Sequence, residues 1–257
     1  MFSRRALIRA SVGLCSCGAC VATGPASLAT AARAEPTHIP GSGYDLRFIG
    51  SQRDTIANGR VGALIDMRTL ANKPNLYAIG PIERLRGEVT VIDSRPSMSR
   101  VGPNRSILVA ENFETSAPFL VWAEVPVWRT LPMPTQVRSF TDLEAFVPRA
   151  IETVGLDLQR PVPFLVSGQE DLIEFHILNH GDEPYNPAKI KDIQIPFNVA
   201  RTDATVVGFY SLSHRGIFTP MDSTIHIHFQ TVKNDVSGHI HTLEIGAGAV
   251  LSLPRAV

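Results

Sequence analysis

Between residues 223 and 245 the chain reads Ser-Thr-Ile-His-Ile-His-Phe-Gln-Thr-Val-Lys-Asn-Asp-Val-Ser-Gly-His-Ile-His-Thr-Leu-Glu-Ile, and this stretch restricts the fold more than any other. His226 and His228 stand two apart among β-formers, so on a strand both imidazoles project from one face. Thr231 to Gly238 is polar and holds Asn234, Asp235 and Gly238, the turn chemistry that joins two strands. The return strand opens at His239, and His241 follows at strand period. The pattern predicts a hairpin that gathers His226, His228 and His239. Three neutral imidazoles suit a zinc ion with one open coordination position, an arrangement that is catalytic more often than structural. A single strand histidine is usually solvent-facing or satisfied by a neighbour; three in register across one hairpin are harder to explain that way.

At 257 residues the chain is long enough to bury a sizeable core, as one large domain or two small ones. Its zero net charge offers no electrostatic footprint for nucleic acid or acidic membranes. No apolar run in the body of the protein is long enough to span a bilayer.

Residues 1–34 read as an export signal. Ser3-Arg4-Arg5-Ala6-Leu7-Ile8-Arg9 is the basic region, a weakly apolar stretch follows, and Ala32-Arg33-Ala34 has the small-x-small form of a cleavage site. The paired arginines and following aliphatics resemble a twin-arginine signal, with an ordinary secretory signal as the alternative. Cys15, Cys17 and Cys20, in a loose likeness to a lipidation site, all fall within this segment. Cleavage at Ala34 leaves no cysteine, so metal ligands must be N or O atoms. The expected location is the periplasm or the exterior.

In the remainder, 35–160 is expected to form an N-terminal α/β part and 161–257 a β-rich part carrying the hairpin. Strands are expected at Leu46–Ile49, Leu76–Ile79, Glu88–Ile92, Ser106–Ala110 and Phe119–Val127, and a helix with its flanks over Asp54–Leu70. Leu131–Pro134 reads as a Pro-rich connection. Phe140–Val154 is the clearest helix, with Thr141 as cap, Glu144 at capping-box distance and Gly155 as stop. Later strands are expected at Phe164–Ser167, Leu172–Leu178, Ala204–Ser211 and Ala249–Leu253.

These blocks together resemble the α-acetolactate decarboxylases. The family carries the His-x-His strand, the eleven-residue step and a Gly-His, here His226, His228 and Gly238-His239. Thr205–Tyr210 resembles its preceding Gly-Phe/Tyr strand, and Tyr77-Ala-Ile-Gly80 with Leu85-Arg-Gly-Glu88 resembles its Gly-x-x-x-x-Leu-x-Gly-Glu stretch. The resemblance implies an α/β fold of two parts with mixed β-sheets and few helices. It also implies zinc on the three histidines, holding the hydroxyl and keto oxygens of a small 2-hydroxy-3-keto acid that loses carbon dioxide. Glu88 matches the family's acid/base carboxylate.

The likeness breaks in two places. Alignment through Ile173–His180 and Pro184-Tyr185 puts Asn179 where the family has an active-site arginine, leaving an amide as the candidate substrate contact without a charge or a bidentate fork. The family's C-terminal tail returns a carboxylate to the metal, whereas here no acidic residue follows Glu244. His176, His180 and His241 are additions with either ordinary polar or site roles. The expected function is therefore an exported zinc carboxy-lyase of the acetolactate decarboxylase type, with a homodimer left open. The alternatives are a non-catalytic protein binding a metal or small acid, and a different metal-dependent lyase or isomerase.

Overall fold

The computed structural model describes residues 34–256; the expected export signal and the three cysteines lie outside them, apart from Ala34. The chain opens with β1 (Thr37–Gly41) and β2 (Tyr44–Ile49), a π-helical turn at Arg53–Ala57, and β3 (Ile65–Asp66). The meander β4 (Leu76–Pro81), β5 (Glu88–Ile92), β6 (Arg95–Val101) and β7 (Ile107–Ala110) follows. β8 (Ser116–Ala117), β9 (Leu120–Glu124) and β10 (Trp128–Pro132) precede helix α1 (Phe140–Thr153). Two 17-residue strands, β11 (Val162–Leu178) and β12 (Gln194–Tyr210), flank the short helix α2 (Ile190–Ile193). The hairpin β13 (Ile225–Thr231) and β14 (Ser237–Ile245), then β15 (Val250–Pro254), end the fold.

Two sheets carry the architecture. One has the strand order β1-β2-β9-β4-β5-β6-β7, the other β10-β15-β11-β12-β13-β14, with β11 also pairing β14. Two parts with few helices is the expected plan. The expectation of mixed sheets is refined, because every strand pairing in these sheets is antiparallel. Short turns connect most neighbours, and parallel pairing would need long crossovers. The change from one sheet to the other falls between Glu124 and Trp128, ahead of the division expected after residue 160, and the described residues lie in one compact unit.

Strand period then decides which side chains reach the space between the sheets. Along β5, Val89 and Val91 join a small core with Ala78, Leu120 and Trp122 on the outer face. Glu88 and Thr90 consequently face the other way, toward the second sheet. On β13, Ile225, Ile227 and Phe229 enter the larger core, to which α1 contributes Leu143, Val147, Ala150 and Ile151. His226 and His228 take the opposite face.

Four local expectations are corrected. Residues 54–70 do not form one helix; helical turns occupy Arg53–Ala57 and Met67–Leu70, separated by a stretch containing Gly59 and Gly62. The cap of α1 is Ser139, whose hydroxyl accepts from the Asp142 amide while the Asp142 carboxylate accepts from the Ser139 amide. Glu144 instead accepts from the Thr224 amide, 2.6 Å away. Leu131 and Pro132, expected within a connection, belong to β10, which pairs with β15 as an edge strand, a place where proline costs no ladder bond.

Candidate metal centre and active site

The three predicted histidines do converge. His228 and His239 are direct cross-strand partners in the β13–β14 ladder, and His226 lies one strand period away on the same face. One ligand nitrogen from each of His226, His228 and His239 lies within 4.8 Å of the others. Gly238 is what lets β14 lie so close to β11: a Cβ there would sit 2.5 Å from the Phe175 ring and 2.9 Å from the His176 carbonyl oxygen.

Backbone and hydroxyl groups aim the rings. His226 Nδ1 donates to the Phe218 carbonyl at 2.7 Å, which leaves the Nε2 lone pair turned inward, 3.0 Å from His239 Nδ1. His228 Nδ1 lies 3.1 Å from the Thr90 hydroxyl. Its Nε2 is buried and has no hydrogen-bond partner among the described residues. An orphaned imidazole nitrogen in a buried site is costly, and a bound metal ion removes that cost.

Glu88 covers this group from the first sheet. It follows Gly87, whose φ of +140° and 2.3 Å approach of a would-be Cβ to the Ser99 carbonyl exclude a side chain. Glu88 Oε1 accepts from the Leu178 amide at 3.3 Å and lies 3.5 Å from His176 Nε2; Oε2 is 4.0 Å from His228 Nε2.

The electrostatics favour neutral ligands. Burial, then the nearby His241 and His226 rings, lowers the His176 pKa to about 3. Burial brings His226 down to about 4 and holds His228 and His239 well below the ordinary imidazole range, with repulsion between the rings adding to it for the latter two. Unprotonated imidazoles present the lone pairs a divalent cation requires. Burial also raises the Glu88 carboxyl well above the usual carboxylate range, opposed in part by the Leu178 amide.

A cavity of about 460 Å³ opens over the histidines. Glu88, His176, His226, His228 and His239 line its floor, and Ile56, Phe119, Leu178, Ile190 and Met221 supply apolar wall. Arg53 also lines it.

The other sequence candidates separate cleanly. His176 faces the cavity, and its Nδ1 is 2.7 Å from Nε2 of the exposed His241. With His239 these two form a second group whose nitrogens lie within 4.8 Å of one another. His180 is buried against Tyr185, outside the cavity lining. Asn179, expected as a substrate contact, lies away from the cavity. It is exposed and absent from the cavity lining: it lies one residue past the end of β11, and its backbone amide donates to the Ile193 carbonyl at 2.9 Å. Sequence reasoning missed Thr90, which its two-residue spacing from Glu88 could have revealed. It also missed Arg53, for which no local signal exists.

The family model described as alpha-acetolactate decarboxylase matches residues 48–253. A Staphylococcus aureus protein, described as similar to alpha-acetolactate decarboxylase, superposes with TM-score 0.67 at 15% identity, over 82% of this chain and 85% of that one. Alpha-acetolactate decarboxylase from Bacillus subtilis strain 168 gives 0.62 at 16% identity, over 80% and 84%. Acetolactate decarboxylase from Bacillus subtilis subspecies spizizenii gives 0.62 at 15% identity, over 82% and 85%. At such identities these structures establish a shared fold. A search of curated protein sequences gave no significant match.

Proposed function

The chain belongs to the alpha-acetolactate decarboxylase family, and from that premise we propose that it is an exported, zinc-dependent carboxy-lyase. Its substrate is 2-acetolactate or a close 2-hydroxy-3-keto acid, its products a hydroxyketone and carbon dioxide. The observation that carries this reading is the convergence of His226, His228 and His239 beneath the Glu88 carboxyl in one cavity. His226, held by the Phe218 carbonyl, His228, held by Thr90, and His239 are the residues that hold the metal. A zinc ion there supplies Lewis-acid stabilisation of negative charge on the substrate oxygens.

The protein's own groups do the rest. The C–C bond to the carboxylate breaks, its electron pair stays on the α-carbon, and carbon dioxide leaves. That carbon then needs one proton, and Glu88 holds one at its carboxyl above the site. Solvent restores the proton, so each turnover consumes one. The apolar wall of Ile56, Phe119, Leu178 and Ile190 limits water around the reacting carbon. Localisation in the periplasm or outside the cell is supported by Arg4-Arg5 and Ala32-Arg33-Ala34.

The test joins metal analysis to an assay. Purified protein should hold one zinc per chain and form acetoin from acetolactate; chelation should abolish this and zinc should restore it. Zinc-loaded protein that forms no acetoin would remove the substrate assignment. Cell fractionation tests export, and full-length protein in the cytosol, unaffected by replacing both arginines with lysine, would refute it.

A further inference from the structure

We propose that Arg53 is the anion-binding group of the cavity and grips the carboxylate of an acid seated between it and the histidines. The inference rests on the proposed reaction only in assigning that carboxylate to the substrate. Among the cavity-lining residues Arg53 is the single arginine or lysine; the other basic side chains are the imidazoles gathered at the proposed metal site. A small acid entering this space meets apolar wall, a carboxyl and one guanidinium.

The chain anchors the turn that carries this guanidinium, while the side chain itself is exposed. The amides of Gln52 and Arg53 donate to the carbonyls of Ile217 and Gly216 at 2.7 and 2.8 Å, tying the π-helical turn to the loop that precedes β13. The Arg53 side chain then lies along this loop, with Nη2 3.3 Å from Met221 Sδ. Gly216, at φ +72°, leaves the room: a Cβ there would come 2.4 Å from Met221 Sδ and 3.2 Å from Arg53 Nη2. A thioether is a weak acceptor and leaves most of the five guanidinium donors available.

No carboxylate among the described residues comes within ion-pairing distance of Arg53. The adjacent Asp54 is engaged elsewhere, accepting from the Asn58 amide group at 3.0 Å and lying 3.5 Å from Arg60 Nη1. A planar fork at a cavity wall, in no hydrogen bond or ion pair with a carboxylate among the described residues, matches a carboxylate in shape and charge. The position expected from the family resemblance, Asn179, lies outside the cavity lining, so this cation comes from a different element of the chain.

A contact to the carboxylate acts before carbon dioxide departs, so its effect belongs in substrate binding more than in the chemical step. The experiment compares wild type with Arg53→Gln and Arg53→Lys, each verified to hold the same zinc per chain. Calorimetry of the zinc-loaded proteins uses two probes: lactate, which carries a carboxylate, and acetoin, which has the hydroxyl and keto oxygens without one. Arg53→Gln should weaken lactate binding roughly 10- to 100-fold, the usual span for one charge-assisted pair, and leave acetoin binding within about twofold. Arg53→Lys should recover part of the loss. In turnover, Arg53→Gln should raise KM for acetolactate by a similar factor with kcat nearly unchanged. Equal lactate binding by wild type and Arg53→Gln, including none by either, overturns the proposal, as does an equal loss for both probes. Arg53-dependent lactate binding in a protein that forms no acetoin would instead overturn the proposed reaction and leave this inference standing.

Discussion

Each of the two sheets buries one carboxylate, and only one of the two meets the histidines. Glu88 on β5 of the first sheet is 2% exposed and faces His176 and His228 across the cavity. Glu170 on β11 of the second is fully buried yet lies outside the cavity lining, opposite Thr202 and Ile245 in its ladders. Burial raises both, well above the ordinary range for Glu88 and to about 7 for Glu170. A displaced carboxyl is therefore common to both sheets. What distinguishes Glu88 is that antiparallel period turns it onto the face shared with four imidazoles. A perturbed group is a marker of a site only in the company of others that can use it.

The largest expected effect tests the functional side of that contrast. Glu88→Gln should keep zinc and cut turnover by about two to four decades, the range of general acid/base contributions, as read from kcat on zinc-loaded protein. Unchanged turnover would place Glu88 with Glu170, as a buried carboxyl and nothing more.

Glu170→Gln should do the reverse. The folded pKa of about 7 lies above the 4.5 of an unperturbed glutamate, so the unfolded chain releases its proton first as pH rises. Stability is thus lost as pH climbs from about 4.5 to about 7 and levels off beyond it, by up to about 3 kcal/mol for such a shift. Denaturant melts at pH 5 and pH 8 isolate this as a difference: Glu88 and the buried imidazoles titrate in both proteins, so the stability of wild type minus that of Glu170→Gln should fall as pH rises, with zinc content and turnover intact. A variant as pH-dependent as wild type would exclude Glu170 as the source.

The smallest effect concerns how the first sheet supports the second. Thr90→Val removes the hydroxyl beside His228 Nδ1 while preserving shape. Zinc affinity should fall roughly 10- to 100-fold, the usual cost of losing a partner that orients a ligand, with the ladder between β5 and β6 preserved. Competition titration against a chelator measures it, and an unchanged affinity would show that the ring is held by packing alone.

How much of this was legible in the chain depended on distance along it. The histidine hairpin needed only strand period and a turn, because its residues are near neighbours in sequence. Glu88 has no local mark, and its place above residues about 140 positions later came from the Gly87-Glu88 block of the family resemblance. Asn179 failed through register. Along β11 the cavity face, with His176 and Leu178, alternates with the core face, with Phe175 and Ile177, and Asn179 lies just past the strand's end; alignment through a break in resemblance does not resolve one residue. Strand β6 was unread because Arg95-Pro-Ser-Met-Ser carries its small polar residues on the buried face, where Ser97 bonds Ser237 at 2.6 Å. Arg53 depends on a turn docked against a loop more than 160 residues away, which no local pattern encodes.

The hairpin also bears on how the proposed zinc ion would be acquired during folding. His226 and His239 are only 13 positions apart, so bringing them together closes a short loop at small entropic cost. A chain not yet folded can therefore grasp zinc with the same residues. Any hold that the unfolded chain keeps on the metal subtracts from the stability the metal confers on the native state. Zinc bound there would then raise the melting temperature by less than its native affinity alone would dictate. In exchange, such an ion would fasten β13 to β14 before the distant first sheet arrives with Glu88.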